Sequence, residues 1–298
     1  MTDLARSTVL VTGASGILGD ALLRSSRFAG SRGVVHVHDS EHDVVRADLR
    51  DRAQVERVLD EVNPDVVVHT VALTDVDGCE RDGAAAFATN VETTSHLAEA
   101  LRARSEDGLL VYISSDQVYS GQGPHTEDRP APVNVYGTTK FTGELAAQQA
   151  GRSLALRTNF FGQSPVRPSF TDWIADAARE GRPIRLDSRA VFSPLHLDHL
   201  VDVIADAIEA GLAGTFNAGA RDAVSKVEFA REVAARSAPR GERFVEPFAE
   251  DVPGRAVRPL HLALDVTRLE RALARPMPTV RQGLDRLSDT REGARRGT

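Results

Sequence analysis

Short apolar runs separated by amphipathic stretches set the pattern of this chain. Residues 8–12 form a β-branched run that stops at Gly13, and Asp65-Val-Val-Val-His69 and Leu109-Leu-Val-Tyr-Ile113 repeat the theme. Runs this short, closed by turn residues, fit strands buried on both faces of a parallel sheet. A further strand candidate covers residues 33–38 and ends at Asp39. Helical periodicity fills the gaps, through Leu23, through Val55, Val58, Leu59 and Val62 up to Asn63-Pro64, and again over residues 84–101. Strands alternating with helices predict right-handed crossovers and a doubly wound, parallel α/β sheet through about residue 159. Beyond it the rhythm changes. A loop at 161–168 precedes a helix near 169–180, one or two extended pieces over 183–193 and a helix over 198–210. Gly214-Thr-Phe-Asn-Ala-Gly219 reads as a last strand returning to the sheet; a helix over 224–237, a Pro- and Arg-rich stretch and a frayed tail at 291–298 follow.

Composition narrows the class. A hydrophobic content of 41% over 298 residues supports a core, and a net charge of −7 argues against a nucleic-acid partner. No apolar run approaches the roughly 18 residues of a membrane span, and the first six residues lead into a strand without a leader pattern. Cys79 is alone, which excludes an intrachain disulfide and a cysteine metal cluster. The expectation is a cytoplasmic protein that binds neither membrane nor metal. His196 and His199 flank Asp198 at a helix start, where Asp198 reads as an N-cap rather than part of a metal site. Asp75, Asp77 and Glu80 read as a solvated acidic loop.

Gly13-x-x-Gly16-x-x-Gly19 lies between a strand and a helix, the context that gives a glycine pattern meaning. The turn must be tight, the backbone must approach a pyrophosphate, and the helix must pack closely on the strand. Ser15, Ile17 and Leu18 in the same loop, and Ala72 after the third apolar run, are the accompanying candidate contacts to a dinucleotide. Asp39, 20 residues after Gly19, is placed to accept ribose hydroxyls and so to favour NADH; His36, His38, His42 and Arg32 nearby would suit the 2′-phosphate of NADPH. Both cofactors therefore stay open. Asp48-Leu49 fits an adenine cap, and Asp48 equally a helix N-cap.

Only three tyrosines and two lysines occur, yet Tyr136 and Lys140 fall four residues apart, one above the other on a helix face. A cation beside a phenol stabilises the phenolate and lowers its pKa from about 10. Ser114-Ser115-Asp116 emerges at the carboxyl edge of the sheet, where ligands of such sheets bind. In this reading Ser115 polarises a carbonyl, Tyr136 donates the proton and Lys140 tunes Tyr136 and holds the nicotinamide ribose.

The glycine loop and Tyr-x-x-x-Lys step resemble those of extended short-chain dehydrogenase/reductases. Longer strings resemble the branch containing dTDP-4-dehydrorhamnose reductase: residues 64–77 with Cys79-Glu80, Tyr112-Ile-Ser-Ser-Asp-Gln-Val-Tyr119, and Pro132-Val-Asn-Val-Tyr-Gly-Thr-Thr-Lys140 with Gly143-Glu144. Near the end, residues 214–219, 225–230 and 258–265 keep the branch's order. The resemblance implies a Rossmann domain over residues 1–159 with returning segments about 190–219, and a smaller α/β substrate lobe from about 160–189 and 220–298. It implies NADPH- or NADH-dependent reduction of a nucleotide-linked keto sugar, with a homodimer as candidate assembly. Asp116, Asn159 and Arg258 are candidate substrate contacts, Arg258 heading the arginines that would grip a pyrophosphate. Asn90 would hold a water near Lys140. Two strings depart from the branch: Arg157-Thr-Asn-Phe-Phe-Gly162 lacks its tryptophan, and Leu262 stands where it has serine. A 4,6-dehydratase is disfavoured because Gln117 cannot exchange a proton. An epimerase and a non-catalytic binding subunit of the same fold remain as alternatives.

Overall fold

In the computed structural model, which describes residues 3–294, the predicted alternation is realised. The chain runs β1 (Val9–Thr12), α1 (Ile17–Arg24), β2 (Arg32–Val35), β3 (Val44–Arg46), α2 (Arg52–Val62) and β4 (Val66–His69). Two short helices, α3 (Val76–Arg81) and α4 (Gly83–Phe87), lead through a π-helical turn at Ala88–Glu92 into α5 (Thr93–Arg104). Then come β5 (Leu109–Ser115), α6 (Val135–Ala147), β6 (Arg152–Thr158) and β7 (Phe160–Phe161). The later elements are α7 (Phe170–Glu180), β8 (Ile184–Asp187), β9 (Val191–Phe192), β10 (Leu195–His196), α8 (Leu197–Glu209) and β11 (Gly214–Ala218). The last are β12 (Val224–Ser225), α9 (Lys226–Ser237), β13 (Val245–Phe248), β14 (His261–Leu262), α10 (Thr267–Ala272) and α11 (Val280–Ala294).

Seven strands form one parallel sheet in the order β11-β6-β5-β4-β1-β2-β3. Every residue of β1, β4 and β5 is buried, which is why these segments read as unbroken apolar runs rather than alternating ones. Alternate residues feed opposite faces. Val9, Val11, Val66, Val68, Leu109 and Val111 join one core cluster with α1 and α8, whereas Leu10, Val67, Leu110 and Tyr112 join another with α2 and α5. The chain winds outward in one direction from β1 and in the other from β4, so a crevice opens between their carboxyl ends.

After β6 the smaller elements build a second layer from two-stranded β7/β10 and β8/β13 pairs and a three-stranded β12-β9-β14 sheet. Capping boxes fix the helices packed on them, Ser169 with Asp172 for α7 and Ser225 with Glu228 for α9. The segment over 183–193 resolves into two strands, β8 and β9, and β11 returns to the main sheet beside β6.

Local expectations fail at four helix or strand ends. The second strand stops at Val35, four residues before Asp39, because the chain bends away at His36. Helix α2 is capped by Asp51, whose carboxylate accepts from the amides of Ala53 and Gln54, so Asp48 is not the N-cap. Helix α8 is capped by the ring of His196, which accepts from the Asp198 amide at 3.3 Å, so Asp198 is not its cap either. Helix α11 continues to Ala294, so residues 291–294 of the expected frayed tail are helical; the rest, 295–298, lies outside the described residues.

Candidate active site

The glycine loop sits at the carboxyl end of β1. Gly13 has φ +75°, a backbone state that L side chains avoid, and a Cβ there would lie 2.7 Å from the Thr70 hydroxyl oxygen. A Cβ on Gly19 would come within 2.2 Å of the Gly13 carbonyl oxygen, so α1 can approach β1 only with glycine at this turn. Helix α1 begins after Gly16 with no side chain capping it, which leaves its first amides free for an anion. Ser15, Ile17 and Leu18 line this helix start. Ala72 follows β4, on the other side of the switch point. These features fit a dinucleotide's pyrophosphate. Gly19→Ala is expected to weaken NADPH binding roughly tenfold or more, the scale of about 1–3 kcal/mol for overpacking, in a fluorescence titration.

At the adenosine end the candidate carboxylates are already paired within the protein. Asp39 is almost fully exposed and ion-paired with Arg46, whose guanidinium also donates to the carbonyls of His36 and Val37. Asp48 is gripped by Arg50 at 2.7 Å, which holds its carboxyl down at about 2. Arg32 faces Asp43 and Glu61, and His42 faces Asp20. Arg46 and Arg50 were not among the residues singled out from sequence. Leu49 is buried beneath this rim.

Ser115 ends β5 in register with Thr158 of β6, and Tyr136 and Lys140 occupy successive turns of α6. Asn134 caps α6 by accepting from the Gly137 amide at 2.7 Å and donates to the Val257 carbonyl at 2.9 Å. Gly137 lets the helix press on the chain after β5; a Cβ would lie 2.2 Å from the Gln117 carbonyl oxygen. All three side chains are buried at the base of the crevice, where the Ser115 hydroxyl donates to the Asp116 carboxylate at 3.2 Å.

The electrostatics depart from the simple picture of a lysine-lowered phenol. Burial pushes Tyr136 up to about 12, with the nearby Ser115 hydroxyl opposing and the charges of Asp116 and Cys79 assisting. Burial also brings Lys140 down to about 7, against the pull of Glu144. The Lys140 ammonium lies 4.2 Å from the centroid of the Tyr112 ring. Desolvation therefore outweighs pair attraction at both groups. Beneath them His69 accepts or donates to Thr12 at 2.6 Å and to Thr93 at 3.3 Å; burial lowers it to about 3, so it is neutral at physiological pH.

Asp116 is 1% exposed, accepts from Ser115 at 3.2 Å and from Asn159 at 2.8 Å, and burial raises it to about 6. Its ionisation opposes folding. That cost is absent below its ordinary range near 4, grows as pH rises to about 6 and is constant above. Asp116→Asn is therefore expected to stabilise the protein by at most about 3 kcal/mol at pH 7.5 and not at all below pH 4. Urea unfolding at both pH values checks this.

Of the acidic residues after β4, Asp75 is exposed as expected, whereas Asp77 and Glu80 are not in a solvated loop. Asp77 and Glu80 lie on α3; Asp77 pairs with Arg258 at 2.8 and 3.0 Å and accepts from the Ala256 amide, while Glu80 accepts from the Val135 amide at the start of α6. The pairing holds Asp77 at about 2. Arg258, the candidate pyrophosphate contact, thus ties its segment to α3 with two nitrogens engaged by Asp77. Asn90 likewise spends its amide within the protein: it accepts from the Leu73 amide at 2.7 Å and donates to the Leu73 carbonyl and to Thr139.

A parallel doubly wound sheet, a glycine loop at its switch point and a serine, tyrosine and lysine at its carboxyl edge together define an extended short-chain dehydrogenase/reductase. More narrowly, the chain belongs to the RmlD substrate binding domain family, whose model matches residues 7–292. A probable dTDP-4,6-dihydroxy-2-methyloxan-3-one 4-ketoreductase of Streptomyces antibioticus is 35% identical over 75% of this chain and 75% of its own. Methionine adenosyltransferase 2 subunit beta of Pongo abelii is 28% identical over 90% of this chain and 83% of its own. The crystal structure of dTDP-4-dehydrorhamnose reductase from Bacillus anthracis, in complex with NADP, superposes with a TM-score of 0.79 at 26% identity, covering 94% of this chain and 98% of that one.

Proposed function

We propose that this protein reduces a keto group on a nucleotide-activated deoxysugar, dTDP-linked by the kinship just described, with Tyr136 as proton donor. The observation that carries the reading is Tyr136, buried beside Ser115 and held protonated far above neutral pH at the carboxyl edge of the sheet. A reduced nicotinamide, NADPH or NADH, supplies the hydride when bound; Gly13, Ser15, Gly16, Ile17, Leu18, Gly19 and Ala72 would hold its pyrophosphate end and Lys140 its ribose. Ser115 donates to the substrate's carbonyl oxygen and orients it. Tyr136 passes its proton to that oxygen as negative charge develops there. The resulting tyrosinate gains the field of the Lys140 ammonium. If the charged form of Lys140 is the working one, kcat/KM falls on the alkaline side with an apparent pKa near 7, where Lys140 titrates, rather than near 10.5. A pH–rate profile checks this.

The relative named as an adenosyltransferase subunit keeps a second reading in view, in which the fold acts by association. Loss of reduced-nicotinamide absorbance with dTDP-4-dehydrorhamnose, assayed with NADPH and NADH in parallel, separates the two. Turnover supports the reductase; tight cofactor binding without turnover of any keto sugar supports the binding subunit.

A further inference from the structure

Lys226 is the one lysine that the site above leaves unused, in a chain where thirty-four of thirty-six basic residues are arginine. It is the first residue of α9, fixed there by the Ser225–Glu228 capping box and by its own amide, which donates to the Ala190 carbonyl at 2.8 Å. Its ammonium lies 5.9 Å from the centroid of the buried Phe192 ring and makes no hydrogen bond or ion pair among the described residues. The position is adverse on three counts. A cation opposes the positive end of the helix dipole, burial lowers the pKa of the amine, and the charge of Arg258 lowers it further. Two carboxylates offset this, Asp116 foremost and then Asp187.

The charges of Asp116 and Lys226 act on each other across the two lobes. Asp116 follows Ser115, and Asn159, which donates to its second oxygen, also accepts from the Leu195 amide at 2.9 Å as the chain enters β10. An amine at the start of α9, unpartnered among the described residues, is thus coupled by charge to a buried carboxyl that accepts from Ser115, one of the residues a substrate carbonyl would face. The residue type matters as well. Arginine's planar fork suits a phosphate, whereas an ammonium is a compact donor that turns to meet a hydroxyl.

We propose that Lys226 is a substrate-contacting, specificity-determining residue that, together with Asp116, holds a sugar hydroxyl next to the keto carbon, the ammonium donating and the carboxylate accepting. This rests on the keto-sugar reading of the site. The test compares wild type, Lys226→Met and Lys226→Arg in two measurements. In the first, kcat/KM for dTDP-4-dehydrorhamnose with NADPH is set against the Kd of sugarless dTDP by calorimetry. Lys226→Met is expected to lose about tenfold or more in kcat/KM, the scale of a lost charged hydrogen bond, with the dTDP Kd unchanged and Lys226→Arg failing to restore the rate. Unchanged kinetics, or an equal loss of dTDP affinity, would overturn the proposal, the latter by moving Lys226 to the diphosphate. In the second, the Asp116 carboxyl is titrated by NMR in the ligand-free protein. Its pKa should rise further in Lys226→Met, and no change would overturn the charge coupling on which the proposal stands. A wild type that leaves the sugar unreduced counts against the keto-sugar reading itself, and the titration then decides the Lys226–Asp116 charge coupling alone.

Discussion

Tyr136→Phe is expected to lower kcat about 10²–10⁴-fold, the usual worth of a positioned general acid, while NADPH affinity and thermal stability change little. The ring stays buried among Cys79, Ala86, Val76 and Val135, so the substitution removes only the hydroxyl. Removing it deletes the proton source without disturbing Ser115, whose hydroxyl also accepts from the Gln117 amide at 3.2 Å. Stopped-flow turnover with cofactor titration in parallel measures both quantities. A variant retaining a tenth or more of wild-type kcat would mean that the proton reaches the substrate oxygen by another route.

The second large effect lies one layer below the site. Glu144, a turn after Lys140 on α6, receives the Arg157 guanidinium from β6 at 2.7, 2.9 and 3.1 Å and the Ser114 hydroxyl from β5. The remaining Arg157 nitrogen donates to the Tyr119 hydroxyl at 2.7 Å and the Glu127 carbonyl at 2.8 Å, and Tyr119 passes the chain of bonds to Asn217 of β11. Both charged side chains are at most 3% exposed. Breaking a buried pair strands a charge, so Arg157→Ala or Glu144→Ala should each cost about 3–5 kcal/mol, a fall in Tm of roughly 10 °C. The double substitution Glu144→Leu with Arg157→Leu should cost less than either single one, since neither charge is then left alone. Calorimetry on the three variants tests this; single-variant losses below about 1 kcal/mol would place the pair among ordinary surface bridges.

How much was legible in the sequence follows from how local each feature is. The parallel strands were readable because burial on both faces leaves an unbroken apolar run, and the glycine loop because its spacing is fixed by one turn. Tyr136 and Lys140 were visible through rarity and a four-residue step. Their electrostatics were not, because desolvation depends on what the fold stacks over α6, and it reverses the expected direction at Tyr136. The Asp77–Arg258 pair joins residues 181 apart, and Glu80 reaches the Val135 amide 55 residues on, so an acidic cluster looked solvated. Asp39 was misplaced because strand β2 ends where the chain bends, which no side-chain pattern marks. His196 displaced Asp198 as a cap because a ring nitrogen can accept an amide as a carboxylate does. Lys226 carried a signal that went unused: the same scarcity of lysine that drew attention to Lys140 applied to it.

The most direct test of the account follows the hydride. Wild-type protein is given dTDP-4-dehydrorhamnose and NADPH deuterated at the transferable position, and the sugar product is weighed by mass spectrometry. The account predicts a product one deuterium heavier than that from unlabelled NADPH, and none from Tyr136→Phe on the same time scale. Cofactor that binds yet returns with its deuterium, beside an unreduced sugar, would contradict it.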